Sequence, residues 1–445
     1  MPTLLRPYAA SLLSLVVAVA AAHAQPTRID VVTPVAPELA AFGPQAIGVR
    51  TLRAVDRQRP DILRTKDGQP TARYDRQFVL EVWYPATLAA GQASGATYRT
   101  IARDPSIAVT LQGRAARDAP LVATGGPFPL LILSHGYPGS RYLMSHLGEN
   151  LASKGFIVVS IDHADSTYDD QQAFASTLYN RAFDQLFVLD EMARLAAPGS
   201  GHFLSGRIDV SRTGLVGYSM GGYGVINVVG GGYSDAAVAM RGGPPNRLLA
   251  ERAASNAAYR ASIDPRVKAV IAIGPWGMQV GAWDAAGLSG IRTPVLYVAG
   301  SVDDISGYTK GVRAMYEATV NADRHLLTFV NANHNAAAPH EAPAETLDAT
   351  GRAVIGFTQH ADPVWDSVRM NNILQHFATA HFDRYLKDDA TRGAYFDVVA
   401  NGSEAVYAMD REGKPLPTHT YWKGFKRGTA VGLILEHASP APGGR

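Results

Sequence analysis

The chain has 445 residues, of which 47% are hydrophobic and 18% charged, so it is too apolar to be disordered and long enough to bury a large core. Its 41 basic and 39 acidic residues give a net charge of +2, which offers no electrostatic basis for binding nucleic acid or an anionic membrane. The lack of cysteine excludes disulfides, thiolate nucleophiles and cysteine-ligated metal centres. We therefore expect a globular protein without nucleic-acid partners.

Residues 1–24 have the pattern of an export signal. Arg6 precedes an apolar run from Ala9 to Ala22, and Ala22-His23-Ala24 forms an A-x-A cleavage site before Gln25. The run is short and alanine-rich for a membrane span, although an uncleaved anchor is the alternative interpretation. No later stretch approaches the ~18 uninterrupted apolar residues of a spanning helix. We expect a periplasmic or secreted protein with no stable membrane anchor after signal cleavage.

Residues 25–47 are rich in Pro and Ala and are expected to form a loose lead-in to a catalytic domain over residues 48–390. In that domain, short apolar runs alternate with helical patterns, which predicts an α/β fold with a mainly parallel sheet covered by helices. The predicted strands are Phe78–Tyr84, Leu130–Leu133, Phe156–Ile161, Gly214–Gly217, Val267–Ile273, Val295–Ala299 and Leu326–Val330. The predicted helices begin at Ser140, cover Ala173–Leu195 and extend from Met370 to Leu386.

Two segments do not follow this alternation. Residues 230–264 begin with three glycines and contain a second Gly/Pro cluster, so they are expected to be an insertion that could act as a lid. Residues 391–445 contain short strand-like pieces without assignable chemistry. We expect this second segment to be a C-terminal extension packed on the catalytic domain.

Ser219 lies in Gly217-Tyr218-Ser219-Met220-Gly221, a G-x-S-x-G motif between a predicted buried strand and a helix. A sharp strand-to-helix turn holds such a serine in a strained backbone conformation, so small residues are needed two positions to each side. The turn also places the hydroxyl at a helix N-terminus, where free N–H groups stabilise a developing oxyanion. This context favours a nucleophilic serine over a glycine-rich turn with an incidental serine.

A serine nucleophile needs a base, and the base needs an acid that orients it. After a nucleophile of this kind the acid and then the histidine follow along the chain, each on a loop after a later strand. Asp303 follows the predicted strand Val295–Ala299, and His334 follows Leu326–Val330. We therefore predict that Ser219, Asp303 and His334 form a catalytic triad.

Each of these two partners has a rival. His340 is the alternative to His334, but it lies deeper in a Pro/Ala loop. Asp304 is the alternative to Asp303. We favour Asp303 because Gly300 permits a sharp turn that brings the third residue after it back over the strand ends.

An oxyanion hole requires two backbone donors. We expect one to be the N–H of Met220, directly after the nucleophile, and the other to be the N–H of Tyr137, in the loop Ser134–Arg141. His135 and Trp276 are further candidates for substrate binding. A structural hydrogen bond for His135 and simple packing for Trp276 are the alternative interpretations.

No metal or cofactor signature is present in the sequence. There is no H-E-x-x-H motif, and His334 and His340 do not have the spacing of a zinc site. Gly230-Gly231-Gly232 lacks the Lys-Ser/Thr that follows in a phosphate-binding loop. We therefore predict neither a metal site nor a phosphate-binding loop.

These motifs resemble those of the α/β-hydrolase superfamily. The runs FVLEVWYPA and FPLLILSHGYPGSRYLMSHLGENLASKGFIVVSIDHADS are similar to bacterial platelet-activating-factor-acetylhydrolase-like and dienelactone-hydrolase-like esterases. The resemblance covers residues 76–340, and GYSMGG is also similar, over a few residues, to secreted polyester hydrolases. Serine stands where dienelactone hydrolases have a cysteine nucleophile.

The resemblance implies an eight-stranded sheet, no cofactor, and hydrolysis of carboxylic esters through an acyl-enzyme. It assigns Ser219, Asp303 and His334 to the triad positions, and Tyr137 and Met220 to the oxyanion positions. We therefore predict an exported serine esterase acting on small or medium carboxylic esters. A serine peptidase or amidase on the same fold, and a catalytically inactive hydrolase fold used as a binding protein, are the alternatives.

Overall fold

The computed structural model describes residues 26–172, 174–348 and 350–442, so the export signal predicted for residues 1–24 lies outside the described residues. No helix in these three ranges is long and apolar enough to cross a membrane. The strands are β1 (Thr27–Arg28), β2 (Ala46–Pro60), β3 (Arg73–Ala86), β4 (Thr97–Ile101), β5 (Ala108–Gln112), β6 (Ala116–Arg117), β7 (Phe128–Ser134), β8 (Ile157–Asp162), β9 (Ile208–Tyr218), β10 (Val267–Ile273), β11 (Val295–Gly300), β12 (Arg324–Phe329) and β13 (Leu433–Ala438).

Eight α-helices connect or cover these strands in the described part of the chain. They are α1 (Ser145–Ala152), α2 (Phe174–Ala196), α3 (Met220–Val228), α4 (Asp235–Val238), α5 (Ala257–Ala261), α6 (Ala285–Leu288), α7 (Ala314–Ala318) and α8 (Ser367–Leu386). A π-helical turn covers Tyr308–Arg313. The 3₁₀ segments are Glu38–Ala40, Pro245–Arg252, Met278–Val280, Ala344–Thr346, Phe357–Gln359 and Ala390–Tyr395.

The main sheet has ten strands in the order β13-β12-β11-β10-β9-β7-β8-β3-β2-β6. Its centre, from β8 to β12, is parallel, whereas the pairings of β2 with β3, β3 with β8 and β12 with β13 are antiparallel. Helices α1 and α8 cover one face, and α2 and α3 cover the other. Burial on both faces explains why the central strands read as continuous apolar runs. The predicted mainly parallel α/β sheet is confirmed.

The predicted strands all fall on observed ones, namely β3 and β7 to β12, but the expected count of eight strands is wrong. The main sheet gains β13 from the C-terminal extension, paired antiparallel with β12, and the two-residue β6 at the opposite edge. Two residues are too few to produce an alternating pattern in sequence. A three-stranded sheet of β1, β5 and β4 lies apart from the main one.

Helices α2 and α8 correspond to their predicted ranges, but α1 begins at Ser145 and not near Ser140. The side chain of Ser140 accepts the N–H of Tyr142 at 3.3 Å, so it closes a turn before the helix. Short polar side chains favour such local turns as readily as helix caps. The predicted start is therefore early by about one turn.

The lead-in up to residue 47 is more ordered than its composition suggests. Strand β1 pairs in parallel with β5. On α8, the amide of Asn372 donates to the carbonyl of Val31, and His376 accepts the N–H of Leu39 at 3.2 Å. These contacts with distant residues hold a Pro/Ala-rich segment that has no periodic pattern of its own.

Residues 230–264 contain α4, α5 and the 3₁₀ segment between them. Buried Tyr233 stacks on Tyr223 of α3, with ring centroids 5.3 Å apart. In the C-terminal extension, buried Trp422 packs edge-on against Phe377 of α8, and its indole N–H donates to the carbonyl of Val399. Both segments therefore contact the core of the domain.

Candidate active site

Ser219 occupies the single residue between β9 and α3, with φ +52° and ψ −114°. This is a strained conformation for a residue other than glycine. A side chain at Gly221 would bring its Cβ to 1.9 Å from the carbonyl oxygen of Ser134, and one at Gly217 to 2.3 Å from the oxygen of Gly221. Close packing therefore requires both glycines, and the turn presents the serine hydroxyl beyond the strand end.

The structure brings Ser219, His334 and Asp303 together, each at the end of a different parallel strand. The Nε2 atom of His334 lies 3.0 Å from Oγ of Ser219, and its Nδ1 atom lies 2.9 and 3.1 Å from the two carboxylate oxygens of Asp303. Because Nδ1 faces a carboxylate, the hydrogen-bond network assigns the proton to Nδ1 and leaves Nε2 free to accept the serine proton. This arrangement can transfer a proton from a nucleophilic hydroxyl.

The carboxylate of Asp303 is held by its own loop. Its Oδ1 atom accepts the backbone N–H groups of Ile305 at 2.9 Å and Ser306 at 2.8 Å. The hydroxyl of Ser306 donates in turn to the carbonyl of Gly274. Asp304, the rival acid, is exposed. Of the two adjacent aspartates, the structure thus brings Asp303 to the histidine.

Two asparagines beside His334 hold its loop in place, and neither was predicted to have a role. Asn333 accepts the backbone N–H of His334 on its side-chain oxygen at 2.7 Å. Asn335 accepts the hydroxyl of Tyr218 at 2.8 Å, and its amide donates to carbonyls of Thr358 and Ala361. The loop that carries His334 is therefore hydrogen-bonded both to β9 and to residues 358–361, which follow this loop in the chain.

His340, the rival base, lies in a different environment. Its ring is buried, stacks on His360 with centroids 4.3 Å apart, and contacts the carbonyl of Glu341 through Nδ1. Burial lowers the pKa of His340 to about 4. The residues that His340 contacts, Glu341 and His360, are therefore not members of the Ser219–His334–Asp303 group.

The loop after β7 runs directly beside the serine. A side chain at Gly136 would place its Cβ 3.2 Å from Cβ of Ser219. Within the described residues, neither the N–H of Tyr137 nor that of Met220 donates to another group. An oxyanion hole needs two such free backbone donors beside the nucleophile, so Tyr137 and Met220 both remain candidates for that role.

A cavity of about 490 Å³ opens on Ser219 and His334, which is in the size range of small-molecule sites. Its lining combines apolar and aromatic side chains with polar and charged ones. The other lining residues are Arg103, Tyr137, Pro138, Leu143, Tyr168, Tyr218, Asp304, Ile305, Asn333, Asn335, Phe357, Thr358, Gln359, Ala361, Asp362 and Pro363. Nowhere in the described ranges do three or more His, Asp or Glu side chains form a group that could hold a metal ion.

One wall of this cavity is formed by residues 357–363, between His334 and α8, for which the sequence predicted no role. Gln359 in this wall accepts a hydrogen bond from Arg103 of the β4–β5 turn at 2.9 Å. No described residue of the expected lid, residues 230–264, lines the cavity. The long loop after His334 was the available signal for this wall.

His135 and Trp276, the two candidate substrate-binding residues, are not among the lining residues. The ring of His135 is fully buried, and burial lowers its pKa well below the ordinary value. Its Nε2 atom accepts the N–H of His163 at 3.1 Å, so Nδ1 carries the proton and donates to the carbonyl of Gly136 at 2.8 Å. Trp276 packs edge-on against Phe174 at 5.2 Å. Substrate contact by His135 or by Trp276 stays a prediction. For His135, full burial of the ring disfavours such contact.

Comparison with known proteins relates the chain to esterases. The family described as PET hydrolase-like matches residues 118–240, which include the loop after β7 and Ser219. Over 205 residues the chain is 26% identical to cutinase est1 of Thermobifida alba, a match that covers 46% of this chain and 52% of the cutinase. Over 230 residues it is 26% identical to the bis(hydroxyethyl) terephthalate hydrolase of Streptomyces coelicolor, covering 52% of this chain and 57% of that one. The chain thus spans about half the length of these curated relatives.

The fold also matches a solved structure. A ferulic acid esterase from Streptomyces cinnamoneus superposes with a TM-score of 0.55 at 22% identity, over 82% of this chain and 94% of the other. At this level of identity the likeness concerns the fold. The predicted α/β-hydrolase fold is confirmed by it and by the mainly parallel sheet.

Proposed function

We propose that this chain, which belongs to the α/β-hydrolase superfamily, is a serine hydrolase that cleaves carboxylic esters through an acyl-enzyme. The observation that carries the proposal is the hydrogen-bonded series from Ser219 through His334 to Asp303, which opens on a cavity of about 490 Å³. The identity shared with a cutinase and a terephthalate ester hydrolase supports the same reaction class.

In the proposed reaction, Oγ of Ser219 attacks the ester carbonyl carbon while Nε2 of His334 takes the serine proton. The N–H groups of Tyr137 and Met220 stabilise the oxyanion of the tetrahedral intermediate, and Asp303 stabilises the imidazolium. His334 then protonates the departing alkoxide, so the alcohol leaves and the acyl group stays on Ser219. Water, activated by the same histidine, hydrolyses the acyl-enzyme and restores the serine.

The lining of the cavity favours substrates with an aromatic or medium-length apolar group. Tyr137, Tyr168, Tyr218 and Phe357 all contribute to it, and aromatic rings pack well edge-to-face against such side chains. One relative is named for a terephthalate ester, and the structural neighbour is named for ferulic acid; both of these are aromatic acids. We propose that the substrates are soluble esters that carry an aromatic or medium-length apolar group.

We also propose that the protein is exported and that the mature chain begins at Gln25. The support is the A-x-A site at residues 22–24 after a short apolar run.

A panel of p-nitrophenyl esters of increasing chain length, with methyl ferulate, bis(hydroxyethyl) terephthalate and matched anilides, tests the proposed function. We expect turnover of the esters and little of the anilides. Equal turnover of the anilides would favour the amidase or peptidase alternative. Absence of all turnover, together with no labelling by a fluorophosphonate, would favour a binding protein.

A further inference from the structure

Arg181 on α2 is a buried cation that faces the loop beside the candidate nucleophile. Its side chain is 1% exposed. Its Nη1 atom donates to the carbonyl of His135 at 2.7 Å, and its Nη2 atom donates to the carbonyl of Gly136 at 3.3 Å and to the hydroxyl of Ser166 at 2.8 Å. The guanidinium thus binds two successive carbonyls of the loop after β7, which carries the proposed oxyanion donor Tyr137.

Among the described residues, no carboxylate forms a salt bridge with Arg181. The nearby carboxylate of Asp184 contacts Arg76 twice at 2.9 Å and also contacts Arg59 and His163. Burial lowers the pKa of Arg181, because desolvation penalises the charged guanidinium. An unpaired buried charge is costly, so its placement against the loop calls for an explanation.

The geometry of the Gly136–Tyr137 peptide unit explains why Arg181 is placed there. The Gly136–Tyr137 bond is trans, so the carbonyl of Gly136 and the N–H of Tyr137 point in opposite directions. The carbonyl accepts from Arg181 and from Nδ1 of His135. The N–H, which is the proposed oxyanion donor, therefore points away from both. Donors on a carbonyl polarise the whole peptide and strengthen its N–H as a donor.

The second candidate donor has a similar arrangement, made by backbone groups alone. The carbonyl of Ser219, in the same peptide unit as the N–H of Met220, accepts the N–H groups of Tyr223 at 3.0 Å and Trp276 at 3.2 Å. Each oxyanion peptide thus has two donors on its carbonyl, and only the loop peptide uses a charged side chain.

We infer that Arg181 is a positioning residue of the oxyanion hole, which orients and polarises the Gly136–Tyr137 peptide toward the oxyanion. The inference rests on the proposed function, since it needs an oxyanion to form at Ser219. Arg181 itself does not touch the substrate. The predicted signature is a loss of affinity for tetrahedral species that exceeds any loss of affinity for the ground state.

The test compares Arg181→Met and Arg181→Lys with wild type, and Ser166→Ala serves as the matched control because it removes one bond of the same guanidinium outside the loop. For each variant, kcat and KM for p-nitrophenyl acetate, the affinity for phenylboronic acid, the affinity for acetate and the thermal midpoint are measured. The boronate forms a tetrahedral adduct with an active serine, whereas acetate mimics the product.

We expect Arg181→Met to lower kcat/KM about a hundredfold, on the scale of losing one oxyanion donor, and to lower boronate affinity in parallel. Its acetate affinity should stay within about threefold of wild type, and Arg181→Lys should recover part of the loss. If Arg181→Met does not fold, the lysine variant gives the same comparison on a smaller scale. Unchanged kcat/KM, or equal losses of boronate and acetate affinity, would overturn the inference. A wild-type protein with neither turnover nor boronate binding would instead contradict the proposed function itself.

Discussion

Asp303 contacts Nδ1 of His334 through both carboxylate oxygens, at 2.9 and 3.1 Å, whereas the adjacent Asp304 is exposed. Asp303→Asn keeps the shape of the side chain but removes the charge that stabilises the imidazolium. We expect kcat to fall by up to ~10⁴, as for the corresponding change in a serine protease. The matched variant Asp304→Asn should keep kcat within about threefold, because Asp304 lines the cavity but is exposed and its side chain makes no hydrogen bond with His334. A large loss of kcat in Asp304→Asn, together with an unchanged kcat in Asp303→Asn, would show that the acid is wrongly assigned.

The choice between the two aspartates rested on a sharp turn expected at Gly300. In the structure, glycine is needed at this position for a different reason. A Cβ at Gly300 would lie 2.2 Å from the carbonyl oxygen of Ala332, so the acid and histidine loops approach too closely for a side chain. The turn expected at Gly300 selected the aspartate that contacts His334, although this glycine is needed for a different reason. Close approach between two loops depends on tertiary packing, which a single sequence does not reveal.

Phe357→Ala tests whether residues 357–363 limit the size of the substrate. Removing this ring enlarges the cavity, so kcat/KM for octanoate relative to acetate esters should rise several-fold. Val364→Ala is the matched control, because Val364 lies beside the same segment, is 63% exposed and does not line the cavity. Equal losses over the whole ester panel would show that the segment only supports the fold.

Stability should fall in mild acid because of buried histidines near the His334 loop. Burial lowers the pKa of both His146 and His340 to about 4, whereas an unfolded histidine titrates near pH 6.5. Between these values the unfolded state binds more protons, so the free energy of unfolding decreases as the pH falls from about 6.5 to about 4. Urea unfolding at several pH values should show this decline, and His340→Gln should reduce its slope. An unchanged slope would exclude a contribution from His340.

Export can be checked on protein recovered from the periplasm or medium of an expressing bacterium. Cleavage after Ala24 should leave Gln25 as the N-terminus, because Ala22-His23-Ala24 is the small-residue site after the apolar run. N-terminal sequencing or intact mass gives the answer. A mature chain that starts beyond Pro37, or one that retains residues 1–24 in the membrane fraction, would refute the predicted site.

The positions of Ser219, Asp303 and His334 could be predicted because each follows a buried apolar strand. The carboxyl ends of parallel strands meet at one edge of a sheet, so strand order alone brings such residues close together. The G-x-S-x-G motif around Ser219 added a local signal, since Gly217 and Gly221 are both needed for the turn. The same logic led to Tyr137, which follows β7.

The cavity wall and the tail strand could not be predicted in the same way. Phe357–Gln359 has no periodic pattern, and its position depends on the β4–β5 turn, where Arg103 binds Gln359. Strand β13 pairs with β12 across more than a hundred residues of chain. Arg181, Asp184 and Gln185 lie at helical spacing and place polar side chains on one face of α2, but only the structure shows that this face is buried.

Covalent trapping at Ser219 tests the central claim most directly. The wild-type protein is incubated with a fluorophosphonate, mapped by peptide mass spectrometry, and compared with Ser219→Ala, for which kcat is also measured. We predict a single adduct on Ser219, no adduct on the folded variant, and a fall in its turnover of several orders of magnitude. An adduct on another residue, or more than about a tenth of wild-type turnover in the folded Ser219→Ala variant, would contradict the account.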